Sequence, residues 1–242
     1  MTSKHHPNGT DRICEAYKKI NKKYDLVVDV QGDEPLISPI HIDKVVDCHL
    51  KNLKYDIILD LFLKKLIPDT KISVSKGNKI FGAFIIKKDD LSFNTSGTNN
   101  ETENPLFHGE ISTIINFFKS KNLNPKEYLF ISSHEPCSMC LSAITWCGFD
   151  NFYYFFPYSD TEVSFNIPHD LKILKEVFNI NNGEYSKDNY YWKSHSILES
   201  INKSQDPDKE KLLEKAQKIR DQYENLSELY QSSKISNNIP LN

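Results

Sequence analysis

Apolar positions along this chain change their spacing from segment to segment, and the spacing predicts the elements. From Asp11 to Lys23, Ile13, Ala16, Tyr17 and Ile20 recur at helical intervals. The almost unbroken apolar run in YDLVVDVQGDEP then predicts a buried strand with acidic residues at its carboxyl end, followed by a helix from about Pro39 to Leu50. This helix, strand and helix form a piece of an α/β layer but not a domain, because one parallel strand cannot close a sheet.

A second series starts near KYDIILDLFLKKLIPD, which predicts a helix stopped by Pro68. NKIFGAFIIKKDDLSF reads as a strand, a tight turn around Lys88 to Asp90, and a second short strand; the polar NTSGTNNETENPLF reads as a loop. Helix HGEISTIINFFKSK, strand EYLFISS, a helix from about Cys137 to Gly148 and the aromatic strand NFYYFF complete the run. Strands alternating with helices predict an α/β sheet covered on both faces. From Asp206 to Tyr230 a further helix is expected, with Asp206 as N-cap and Pro207 at its first position. Its apolar stripe (Leu212, Ala216, Ile219, Tyr223, Leu226 and Tyr230) needs a partner, either a second copy in a homodimer or its own domain.

Composition narrows the classes. The 242 residues include 38% hydrophobic residues, 14 Phe and 12 Tyr, enough for a sizeable core. A formal charge of -3 provides no bulk cationic field for nucleic acid or anionic lipid. No segment approaches the ~20 apolar residues of a membrane span, and MTSKHHPNGTDR lacks the apolar core of a signal peptide. The 5 cysteines, odd in number and irregular in spacing, suggest a reducing compartment, so a cytoplasmic location is expected.

The cysteines in SSHEPCSMC carry the chemistry. Cys137 opens a helix, so Cys137 and Cys140 lie one turn apart on one face, where the helix N-terminus favours thiolates. A C-x-x-C pair can be two structural thiols, a redox couple or half of a metal site. A thioredoxin-like couple belongs after the first strand of its domain, which is not the position here. A metal site needs a third ligand, and FHGEIST offers His108 at the start of the preceding helix. Three protein ligands leave the fourth position of tetrahedral zinc open for water, the catalytic pattern rather than the closed structural one. Glu110, beside the ligand, is placed to move a proton. Cys147, Trp146, Phe149 and the run Phe152 to Phe156 read as packing residues, and Tyr158 can reach either the pocket or the surface.

H-x-E followed by P-C-x-x-C is the zinc-deaminase pattern, and HGEIST with PCSMC resembles the cytidine/deoxycytidylate deaminase superfamily, in particular its cytosine, guanine and tRNA-adenosine deaminase branch. The resemblance covers about Tyr55 to Phe178. It implies a three-layer α/β/α sandwich with a mixed five-stranded sheet, a zinc ion on His108, Cys137 and Cys140, Glu110 as the catalytic proton shuttle, and hydrolytic loss of an exocyclic amine. It also implies an asparagine after the second strand that binds the ring. Asn94 is the first choice, with Asn99, Asn100 and Asn104 as rivals. The backbone carbonyl of Glu135 is expected to meet the amino group.

HPNGTDR and VVDVQGDEP resemble CMP-Kdo synthetase, a sugar-acid cytidylyltransferase, over about Met1 to Asn52. That resemblance implies a magnesium ligand at Asp33 and nucleotide contacts near Gly9, Thr10 and Arg12. Lacking the family's opening strand and nucleotide loop, the segment is read as a remnant. The expected domains are 1-52 (cytidylyltransferase-like remnant), 53-200 (deaminase) and 206-232 (C-terminal amphipathic helix). The leading functional expectation is zinc-dependent deamination of a free cytosine- or guanine-like base or nucleoside. The alternatives are a tRNA adenosine deaminase and an inactive zinc-stabilised interaction module. The mixed charge of DPDKEKLLEKAQKIRDQYENLSELY favours a small substrate over a nucleic acid.

Overall fold

The structure, a computed structural model, describes residues 2, 5–20, 27–30, 37–204 and 206–242. The chain divides into two units, Met1–Leu53 and Lys54–Asn242. In the first, Asn8 Oδ1 accepts a hydrogen bond from Asp11 N (2.8 Å) and so caps helix α1, Gly9–Ile20, which buries none of its residues. Residues 27–30 correct the expectation of a buried strand: they form no strand, and Val27, Val28 and Val30 are exposed. An apolar run becomes a strand only where a neighbouring strand takes up its backbone hydrogen bonds. Asp33 lies outside the described residues.

Helix α2, Pro39–Leu61, runs well past the end expected near Leu50. It continues through a π-helical turn, Phe62–Leu66, into α3, Ile67–Ser75. Pro68 therefore does not stop the helix. Ile67 N–H bonds Phe62 O, five residues back, and Pro68 falls in the first turn of α3, where no N–H is required of it.

In the second unit the sheet order is β2-β1-β3-β4-β5. β1 (Gly82–Lys87) pairs antiparallel with β2 (Phe93–Thr98) and with β3 (Tyr128–His134); β4 (Asn151–Phe156) lies parallel to β3, and β5 (Lys193–Ser196) parallel to β4. This is the mixed five-stranded sheet with helices on both faces that the resemblance implies. β2 extends to Thr98 through residues expected to be loop, because an edge strand with a polar FNTSGT sequence shows no apolar alternation.

One face of the sheet packs on Phe62 and Leu66, on α8 (Ile197–Lys203) and on α9 (Lys209–Ser233). The other face packs on α4 (Gly109–Phe117) and α5 (Ser138–Trp146) through Ile114, Phe117, Leu141 and Ile144. Two shorter helices, α6 (Tyr158–Val163) and α7 (His169–Phe178), follow β4. All six stripe residues of α9 are buried in its own unit, which identifies what covers them. At ~1.5–3 kcal/mol for a fully buried Leu or Ile, this stripe anchors the helix firmly. The N-cap of α9 is Asp208 rather than Asp206, whose Oδ1 instead accepts a hydrogen bond from Asp208 N (2.8 Å). Trp146 is 90% exposed and is no packing residue, whereas Phe149 is buried as expected. Among the described residues, no helix is long and apolar enough to cross a membrane.

Candidate metal centre and active site

Two helix starts on one face of the sheet build the site. His108 is the N-cap of α4 and Cys137 the N-cap of α5, both in extended backbone and neither using its side chain as a cap. Their side chains are thus free to turn toward one another. β3 ends at His134, Glu135 N then bonds Phe156 O (2.8 Å), and Pro136 carries the chain into α5. Cys140 follows one turn into that helix, fully buried.

His108 Nδ1 lies 3.5 Å from Cys137 Sγ and 3.7 Å from Cys140 Sγ. Tetrahedral zinc with bonds of about 2.0–2.1 Å to nitrogen and about 2.3 Å to sulfur sets N···S at ~3.6 Å. The donor atoms of these three residues all lie within 4.8 Å of one another, so the set could hold such an ion.

Electrostatics around the cluster favour the deprotonated form at Cys137 alone and the protonated form at Cys140 and His108. The hydrogen bond from Cys140, with His108 adding to it, holds the Cys137 thiol well below its usual range, while burial pushes the Cys140 thiol up. Burial pulls His108 down, but Cys137 and the charges of Glu110 and Glu101 outweigh it and carry the imidazole up to about 9. One thiolate–imidazolium pair stands ready, and a divalent cation displaces the remaining protons.

Glu110 is buried beside the trio. Its Oε1 accepts a hydrogen bond from Ser132 Oγ (2.7 Å), and its Oε2 accepts from Cys140 Sγ (3.3 Å). Burial is the main reason its carboxyl is raised above the ordinary range, with the Cys137 charge adding and Ser132 opposing.

A cavity of about 310 Å³ opens against His108 and Cys137. Its walls are mostly apolar, including Phe81, Leu106, Met139 and Ile173, and residues Ile239, Pro240 and Leu241 beyond α9 complete the lining. Asp170, in the first turn of α7, also lines it and accepts no hydrogen bond from another described residue; burial holds its carboxyl well above the usual range. Sequence reasoning missed Asp170, since an acidic residue in a first helical turn ordinarily serves the helix dipole.

Asn94, the first choice for a ring contact, lies within β2 rather than after it. It is exposed on β2, away from the residues that line the cavity. The rival Asn99 is buried just past the end of β2, its Oδ1 accepting from Gly109 N (2.6 Å) and its Nδ2 donating to Glu101 Oε2 (2.7 Å). The longer β2 explains the difference: the first residue after the strand is Asn99. Glu135 is buried at the small inner recess shared with His108, Glu110 and Asp170. Its side chain turns to Lys187, to Tyr185 OH (2.8 Å) and to Tyr158 N (3.2 Å). Tyr158, left open between pocket and surface, is buried with its hydroxyl donating to Pro136 O.

Residues 59–156 match the cytidine and deoxycytidylate deaminase zinc-binding region, and residues 1–107 match the cytidylyltransferases. Both resemblances seen in the sequence are therefore present, the second reaching beyond residue 52 into the strands β1 and β2. Among curated relatives, the 3-deoxy-manno-octulosonate cytidylyltransferase of Zea mays is 61% identical over 46 residues, 19% of this chain and 15% of that protein. The Rickettsia bellii enzyme of the same name is 37% identical over 110 residues, 45% of this chain and 43% of its own. The chain thus spans less than half the length of either. Among solved structures, Bacillus subtilis guanine deaminase is 24% identical, covering 54% of this chain and 85% of that one, with a TM-score of 0.41. Guanine deaminase from Nitrosomonas europaea is 14% identical, covering 86% and 96%, with a TM-score of 0.44.

Proposed function

We propose that this chain is a zinc-dependent hydrolytic deaminase of a free cytosine- or guanine-like base or its nucleoside, releasing ammonia. The observation that carries this reading is the placement of Glu110. It touches the His108, Cys137 and Cys140 cluster yet is not one of the three ligand residues, and a purely structural metal site has no use for a buried carboxyl there. Zinc, held by those three residues, supplies Lewis acidity and an activated water at neutral pH.

The protein's own groups do the rest. Burial raises the Glu110 carboxyl above its ordinary range and so favours its carrying a proton; it takes one up and passes it to a ring nitrogen, then takes up a second and passes it to the departing amine. Ser132 fixes one of its oxygens so that the other faces the reacting atoms. Asp170, which lines the cavity, accepts from a ring N–H. The Glu135 carbonyl receives the amino group. Residues 239–241 at the cavity favour a small substrate over a folded RNA. Residues 1-52 are assigned as a cytidylyltransferase-like segment, 53-200 as the deaminase domain and 206-232 as its C-terminal helix.

The test is ammonia release from cytosine, guanine, adenine and their nucleosides by zinc-loaded full-length protein. Turnover of at least one is expected. Zinc-replete protein inactive on all of them overturns the assignment.

A further inference from the structure

Glu101 is almost fully buried in the segment between β2 and α4, and it contacts three groups at once. Lys79 Nζ lies 2.7 Å from its Oε1, Asn99 Nδ2 donates to its Oε2 at 2.7 Å, and His108 Nε2 lies 3.7 Å from Oε1. A buried Lys–Glu pair is an ordinary way to neutralise two charges, and that would suffice if the contacts ended at Lys79. They do not. Asn99 is itself tied to Gly109 N (2.6 Å), the residue next to His108. The chain of contacts from Gly109 to Asn99 to Glu101 therefore returns to the His108 ring.

We propose that Glu101 is a positioning residue for the metal centre: its carboxylate keeps the His108 proton on Nε2 and so presents the Nδ1 lone pair to the ion. The inference rests on the zinc reading above. A neutral imidazole carries one N–H, and the proton settles on the nitrogen nearer a negative charge. Here Nε2 faces Glu101 while Nδ1 faces both thiols, so opposite edges of one ring meet a carboxylate and the two sulfur ligands. At 3.7 Å the carboxylate acts by charge rather than through a full hydrogen bond. Lys79 keeps that charge in place in a buried setting, and Asn99 holds the plane of the carboxylate. Carboxylates behind metal-binding histidines typically change metal affinity by 10–100-fold when removed.

The experiment measures zinc affinity of the full chain by competition with a chelating indicator. Glu101→Ala is expected to weaken zinc about 10–100-fold, and Lys79→Met to weaken it as well, because a buried carboxylate without its lysine takes up a proton. The discriminating variant is Glu101→Ala with Lys79→Met, which leaves no unpaired buried charge. It is expected to bind zinc at least about tenfold more weakly than wild type. A double variant as tight as wild type would reduce Glu101 to a partner for Lys79 and overturn the proposal. Nitrogen-15 spectra of zinc-loaded wild type offer a readout that needs no variant to fold: the His108 proton is expected on Nε2, and metal on Nε2 instead overturns it. Wild-type protein that takes up no zinc would sink the functional reading itself, a result distinct from either of these.

Discussion

Gly109 is seated directly on Gly82: a Cβ added to Gly109 would lie 2.5 Å from Gly82 Cα and 2.8 Å from Gly82 N. The N-terminus of α4 therefore touches the backbone of β1, with His108 and Glu110 on either side of the contact. Any side chain here pushes both functional residues off the sheet. Gly109→Ala should cost ~1–3 kcal/mol of stability through overpacking and weaken zinc binding and turnover together. Gly9→Ala, where nothing lies within 4 Å, should change neither. Chelator competition and thermal unfolding of both variants check this; full zinc affinity in Gly109→Ala would show that α4 can shift without moving the ligand.

Glu110→Gln separates metal binding from proton transfer. The amide keeps the volume and can still accept from Ser132, while the group that titrates is gone. Zinc content should stay at the wild-type level and ammonia release should fall by about 10²–10⁴-fold. Near-normal turnover in this variant would remove Glu110 from its proposed role.

The His/Cys/Cys cluster with its neighbouring carboxyl was legible because its residue types are rare and its spacing fixed: His108, Glu110, Cys137 and Cys140 each fall within a turn of a helix start. β4 was equally plain from five consecutive buried aromatic positions, Phe152 to Phe156, flanked by turn residues. What could not be read were polar residues made important by partners distant in sequence. Glu101 looks like one more residue of a polar loop until Lys79 and His108 close on it. β5, KSHS, carries no apolar alternation and exists because β4 offers it a parallel edge. That Asn99 rather than Asn94 follows the second strand was hidden by the length of β2, an edge strand whose sequence reads as loop.

His134 should give the protein an acid-sensitive stability. Its ring lies among Phe81, Phe156, Phe165 and Tyr223, its Nδ1 meets Ser133 Oγ at 2.9 Å, and its buried Nε2 has no partner. Burial holds its pKa well below 6.5. As pH falls below about 6.5, the unfolded chain takes up a proton that the native state refuses, so stability drops by up to ~1.4 kcal/mol per pH unit from this group. His134→Leu removes that slope. Unfolding curves from pH 7.5 to 5 should show wild type losing more stability than the variant; parallel curves would mean that His134 is protonated in the folded protein.

Asp170 should exchange stability for recognition. Burial raises its folded pKa well above the ordinary 3.8, with the Cys137 and Glu110 charges adding and His108 opposing. For an acid raised in the folded state, the native protein binds the extra proton. Stability therefore falls as pH rises from about 3.8 to the folded pKa, and the loss persists above it. Asp170→Asn abolishes this titration at nearly constant volume, so the variant should match wild type near pH 3.8 and exceed it at pH 7. The same change replaces an acceptor-only carboxylate in the cavity by an amide that also donates, leaving a ring N–H less well matched. kcat/KM should therefore fall at least about tenfold while the protein becomes more stable, since one charged hydrogen bond is worth ~1.5–3 kcal/mol. With zinc loading held equal, unfolding at both pH values and kcat/KM on the preferred base decide the matter. A variant of wild-type activity and lower stability would make Asp170 a structural carboxylate that happens to face the cavity.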